Sequence, residues 1–207
     1  MTPHTRPTRL LVAFVTLLVP TIAVAWQGSP TLTDERILAA IGAREGMTVC
    51  EMGAGDGELS IAAAKLVGPG GRVYTSELGD DRVKTLREKT SASGHSQISV
   101  VTGDPSRTNF PEGSCDALFM RNVYHHFADP AKMDASIFAS VKPGGRVVVV
   151  DFTPPKEAEQ PEDRGKDGMH GVMPDTVTRE LKNAGFEPVS SDAAQRWFIV
   201  VAARPKS

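Results

Sequence analysis

Glu51-Met52-Gly53-Ala54-Gly55-Asp56-Gly57 places one acid and three alternate glycines directly after the short apolar run Val49-Cys50. Glycines at that spacing let the chain turn tightly and bring a ligand against bare N–H groups, where a Cβ would clash. A dinucleotide fingerprint has the wider spacing G-x-G-x-x-G and offers a helix N-terminus to a diphosphate. Here Glu51, Asp56 and Glu58 crowd the loop. An acidic loop suits a cationic ligand better than a diphosphate, although the same residues also fit a strand-to-helix turn that binds nothing.

Three further groups could take part in chemistry. Glu77 follows the last glycine by about 20 residues, where a carboxylate can accept hydrogen bonds from ribose hydroxyls. Asp104 follows Gly103 and is placed to bond an exocyclic amine. Arg121-Asn122-Val123-Tyr124-His125-His126-Phe127 brings a guanidinium, an amide, a phenol and two imidazoles into one short segment. Adjacent histidines in a loop project differently and rarely share a metal ion, and Asp151 is followed by Phe152 rather than a second ligand, so no metal site is expected. His125 or His126 could serve as a general base, and both also fit as packing residues.

The elements that must position these groups alternate between strand and helix. Thr33-Asp34-Glu35-Arg36 opens a helix with Ile37, Leu38 and Ile41 on one face. Strands are expected at 48–52, 71–77, 97–102, 115–120 and 146–151, with helices at 59–67, 81–89, 130–141 and 174–184 between and after them. Two closing strands are expected at 186–190 and 196–202. The pattern is βαβ until that final pair, which implies a parallel sheet. Every candidate group then falls at a strand's C-terminal end, where ligands bind in open α/β sheets. Thr153 to Met173 is charged and proline-rich without apolar periodicity, and reads as a long loop containing His170.

These motifs together resemble the class I S-adenosylmethionine (SAM) methyltransferases, small-molecule type, over roughly residues 45–202. The Lys142-Pro143-Gly144-Gly145-Arg146 turn and Asn183-Ala184-Gly185-Phe186 also match that pattern. The resemblance implies a Rossmann-like, doubly wound, seven-stranded α/β sheet, mostly parallel with an antiparallel last strand and helices on both faces. It implies cofactor contacts from Glu51, Gly53, Ala54, Gly55 and Gly57, from Glu77 and Leu78, from Asp104 and Pro105, and from Arg121 and Asn122. Tyr124, His125 and His126 would border the methyl acceptor, and the 153–173 loop would hold variable acceptor-site elements. In this chemistry the cofactor carries the activated methyl group and the protein supplies position and dryness. A base is needed only where the acceptor arrives protonated.

Composition narrows the partners. A chain of 207 residues with 40% hydrophobic content can bury a full single-domain core. Its net charge is −2; Arg6 and Arg9 are the only formal charges in the first 25 residues, so the remainder carries −4. No basic patch points to nucleic acid. A small-molecule acceptor is expected, with a protein methyltransferase as an alternative because the 153–173 loop could admit a peptide.

Residues 1–25 carry those two arginines ahead of the apolar run Leu10 to Ala25 and end on Ala23-Val24-Ala25. That is the pattern of a secretory signal peptide, with a membrane anchor or a misplaced start codon as the other readings. Residues 26–33 read as a linker and 34–207 as the methyltransferase domain. A signal or an anchor puts the domain outside the cytoplasm, away from where SAM is made. That placement lends weight to a further alternative, a non-catalytic nucleoside- or SAM-binding module of the same fold. A short-chain nicotinamide oxidoreductase is excluded, because the residues four after Tyr74 and Tyr124 are Leu78 and Ala128 rather than lysine. In adjacent regular parallel strands Cys50 and Cys115 would lie about 10 Å apart at ~3.3 Å per residue, so two separate buried thiols are expected.

Overall fold

The computed structural model describes residues 32–155 and 171–207. The proposed signal segment 1–25, most of the linker and His170 lie outside the described residues, as does most of the 153–173 loop. Seven strands form one sheet: β1 (Thr48–Met52), β2 (Arg72–Glu77), β3 (Ile98–Thr102), β4 (Cys115–Arg121), β5 (Val141–Phe152), β6 (Glu187–Ala194) and β7 (Trp197–Ala203). Their order across the sheet is β3-β2-β1-β4-β5-β7-β6. Strands β1 to β5 pair in parallel, and β7 runs antiparallel to both β5 and β6. This is the doubly wound, seven-stranded arrangement that the sequence implies.

Among the described residues, five helices cover the two faces: α1 (Asp34–Ile41), α2 (Glu58–Val67), α3 (Asp80–Ala92), α4 (Pro130–Ser140) and α5 (Pro174–Asn183). On one face Ile37 and Ile41 of α1 and Leu59, Ala63 and Val67 of α2 pack against Val49, Val73, Phe119, Val148 and Val150. On the other, Met133 and Ile137 of α4 and Val177 and Leu181 of α5 pack against Cys50, Leu118, Met120, Val147 and Val149. Successive strand residues point to opposite faces, so a central strand with both faces covered must be apolar throughout. Val147 to Val150 meets that demand with four fully buried valines.

The helix ends are fixed locally. Thr33 caps α1, and Gly42 closes it in the left-handed region. Asp129 caps α4 by accepting from Lys132 N at 3.1 Å, and Pro130 occupies the first helical position, where its missing N–H costs nothing.

One expectation is overturned. Cys50 and Cys115 form a disulfide, with a Cα–Cα separation of 5.8 Å. The spacing estimate assumed a regular ladder, but the β1–β4 ladder begins at Val49–Ala117 and leaves Cys115 outside it, where the β4–β5 pairing also shifts register: Cys115 pairs with Val141, whereas Ala117 pairs with Arg146. Residues 142–145 are looped out of that ladder. A regular β4 would turn Cys115 to the same face as Ala117 and Phe119. Instead it packs in the opposite cluster, beside Cys50 and Leu118.

Candidate functional site

The carboxyl ends of the strands surround a cavity of about 400 Å³. Its wall begins in the glycine turn that joins β1 to α2. Gly53 has φ +66°, and a Cβ there would lie 2.4 Å from Val123 Cγ2, so the turn packs directly on the segment after β4. Gly55 has φ +54° and lines the cavity, and a Cβ there would meet nothing within 4 Å. The turn therefore leaves open a space beside bare backbone, a cradle that a side chain would fill.

Glu77 forms the next part. It is 7% exposed, yet its carboxylate accepts from Gly55 N at 2.7 Å through Oε2 and from Leu78 N at 2.9 Å through Oε1. Arg82 Nη1 stands 3.7 Å from Oε1. Gly103, Asp104 and Pro105 follow β3. Asp104 Oδ1 accepts from both the N–H and the hydroxyl of Ser106 at 2.8 Å. The Ser106 N–H, then its hydroxyl and the Arg107 charge, hold the Asp104 carboxyl below the ordinary range.

Arg121 and Asn122 continue the wall from the end of β4, and the Arg121 guanidinium bonds Asp34 of α1 at 2.8 Å. Next comes a single 3-10 turn, Tyr124–His126, which divides its three side chains among different environments. His126 lines the cavity. His125 turns inward, with a side chain only 4% exposed and Nδ1 2.8 Å from Asp151 Oδ1. Tyr124 is fully buried. Its hydroxyl lies 2.7 Å from Asp134 Oδ2 and 3.0 Å from Glu180 Oε2. Burial, reinforced by those two carboxylates, pushes the phenol well above its ordinary value.

The structure thus gathers Gly53, Gly55, Glu77, Leu78, Asp104, Pro105, Arg121, Asn122 and His126 around one cavity. Five other expected site residues do not line it. Ala54 and Gly57 shape the turn, linked by Gly57 N donating to Ala54 O at 2.8 Å. Glu51 is 2% exposed and its carboxyl is bonded by Ser60 of α2, beneath the loop. Burial pushes Glu51 up to about 8, against the opposing pull of the Ser60 hydrogen bond and the Arg121 charge. Tyr124 and His125 face the core, which corrects the expectation that both border the acceptor.

Further residues complete the wall; of these, Ala128, Met133, Arg82, Arg107 and Thr108 lie outside the motifs that the sequence offers. Val123, Phe127, Ala128 and Met133 supply apolar surface, and Arg82, Arg107 and Thr108 supply polar surface. Asp151, the partner of His125, could be noted only as a strand-end acid. A second cavity of about 320 Å³ lies away from the strand ends, where Arg36 and Ala40 of α1 face Asp192 and Ile199 of the β6–β7 hairpin.

Comparison with known proteins places this geometry. Residues 50–149 match a family model described as a methyltransferase domain. A ubiquinone/menaquinone biosynthesis C-methyltransferase UbiE from Marinomonas sp. (strain MWYL1) is 27% identical over 130 residues, covering 62% of this chain and 52% of that protein. The chain spans about half the length of the curated relatives it matches. A SAM-dependent methyltransferase from Aquifex aeolicus has the same fold, with a TM-score of 0.72 and 23% identity over 84% of this chain and 90% of that one. The [4+2]-cyclase SpnF superposes with a TM-score of 0.75 at 13% identity, covering 88% of this chain and 87% of that one.

Proposed function

We propose that this chain is a SAM-dependent methyltransferase acting on a small molecule. The observation that carries this reading is the convergence of the Gly53–Gly55 turn, Glu77 and Asp104 on one cavity at the strand ends. The donor set fits the cofactor. Glu77 offers carboxylate oxygens for ribose hydroxyls, and Asp104 offers an acceptor for the adenine amine. Leu78 and Pro105 supply apolar faces for the ring, and the open space at Gly55 admits a ligand against backbone. When bound, SAM supplies a methyl carbon activated by an adjacent sulfonium.

The chain's own contribution is position and exclusion of water. Arg121 and Asn122 would hold the amino-acid end of the cofactor. His126, with Val123, Phe127 and Met133 around it, would face the acceptor and could take a proton on its imidazole from a hydroxyl or amine. The apolar wall suits a small organic acceptor, with a peptide acceptor as the alternative.

We place the folded domain outside the cytoplasm, exported or anchored through residues 1–25. The Cys50–Cys115 bridge supports that placement, because buried disulfides persist in oxidising compartments. A non-catalytic nucleoside- or SAM-binding module of the same fold is the second reading, favoured by that placement outside the cytoplasm, away from where SAM is made. Calorimetric titration of the full chain with S-adenosylhomocysteine, with NAD in parallel, tests the cofactor site. Binding of the nucleoside and not of NAD supports it, and no binding to folded protein overturns it. Acceptor-dependent release of S-adenosylhomocysteine separates the enzyme from the binding module.

A further inference from the structure

We infer that Asp151 is a positioning residue, which holds His125 as a fixed plate against which His126 is set at the cavity wall. The inference rests on the methyltransferase reading only for what His126 would face.

Asp151 is the next-to-last residue of the interior strand β5 and is completely buried. Its carboxylate accepts the backbone N–H of His125 through Oδ2 at 3.1 Å and that of Phe152 through Oδ1 at 2.9 Å. The same Oδ1 lies 2.8 Å from His125 Nδ1. A carboxylate in this setting accepts, so Nδ1 is the nitrogen that carries hydrogen and donates. One side chain therefore fixes both the main chain and the ring of His125.

The ring so fixed is enclosed by aromatic neighbours. Phe152 lies 5.0 Å from it, centroid to centroid, and is itself braced edge-on by Trp197 at 5.3 Å. His126 also packs on the His125 ring, at a centroid distance of 3.9 Å and an interplanar angle of 44°. His126 is the member of the pair that lines the cavity, while His125 is not. The order Asp151, His125, His126 thus runs from a buried strand end to the cavity wall. A group that must present an imidazole at a set angle needs such support from residues that do not touch the ligand.

The test is nitrogen-15 NMR on the full chain labelled at its five histidines, assigned by single substitutions and recorded with and without S-adenosylhomocysteine. The expected result is a His125 ring protonated at Nδ1 in the wild type. Asp151→Asn is expected to move the ring signals of both His125 and His126. His125→Gln keeps a donor for Asp151 but removes the plate, and is expected to move His126 as well; it serves if Asp151→Asn fails to fold. An Nε2–H tautomer of wild-type His125, or His126 signals unchanged in the folded variants, overturns the inference. In the wild type, S-adenosylhomocysteine is expected to shift His126 more than His125. A bound nucleoside that leaves His126 unshifted overturns the placement of His126 in the proposed site, and it does so independently of the tautomer result.

Discussion

Glu77 Oε2 accepts a hydrogen bond from Gly55 N at 2.7 Å, joining the end of β2 to the glycine turn that leaves β1. The carboxylate that would receive a ribose also sets the position of the backbone beside it. Glu77→Ala removes both functions. S-adenosylhomocysteine affinity is expected to fall by about 10- to 100-fold, as for lost hydrogen bonds to a charged group. Glu77→Gln retains an acceptor and should fall between the two. Titration calorimetry at fixed ionic strength measures all three.

Glu51 makes stability depend on pH in an unusual direction for a carboxylate. Burial raises it from an ordinary 4.5 to about 8. Across that window the folded chain keeps a proton that the unfolded chain has released. The stabilisation is full below about pH 4.5 and is lost as pH rises through about 8, at up to roughly 1.4 kcal/mol per pH unit. Urea midpoints measured across this range should fall with pH, and Glu51→Gln should flatten the slope.

Tyr124→Phe separates packing from chemistry. The substitution removes the hydroxyl placed between Asp134 and Glu180. Stability should drop by about 2 kcal/mol, which lowers the melting temperature by about 4–8 °C for a domain of this size. Nucleoside affinity should remain within about twofold, since the ring does not line the cavity. Thermal melts and titrations on one preparation check both statements.

The Cys50–Cys115 bridge closes a loop across a sequence separation of 65. Loop closure of that length is worth about 4 kcal/mol in the unfolded-chain account. Both sulfurs are fully buried, so reductant alone should act slowly on the folded protein. The double variant Cys50→Ala/Cys115→Ala should melt well below the wild type, and a non-reducing alkylation assay should find no free thiol in the oxidised chain.

Much of the sheet was legible because its signals are local and redundant. Val147 to Val150 can only be a strand buried on both faces, and Gly53-Ala54-Gly55 can only be a tight turn. Glu77 and Asp104 were readable as acids facing one cleft because a strand's direction fixes where its end must lie. The direction of side chains in irregular backbone was not legible. Tyr124, His125 and His126 are neighbours in sequence, yet a single 3-10 turn sends the first into the α4–α5 core, the second to Asp151 and the third to the cavity. Cys115 escaped for the same reason: it lies outside the regular β1–β4 ladder, beside the register shift opposite residues 142–145. Glu51 has the expected residue type, but the α2 hydroxyl that its carboxyl meets is set by packing.

The bridge has one more consequence, for anyone preparing the protein. It ties β1 to β4, and both strands run on into the cavity wall, at Gly53 and at Arg121. Material made in a reducing host and material made in an oxidising one would differ by two hydrogen atoms and by a covalent tie beneath the candidate site. They are two different molecules for the purposes of an assay, and an inactive batch should be weighed in a mass spectrometer before its substrate is doubted.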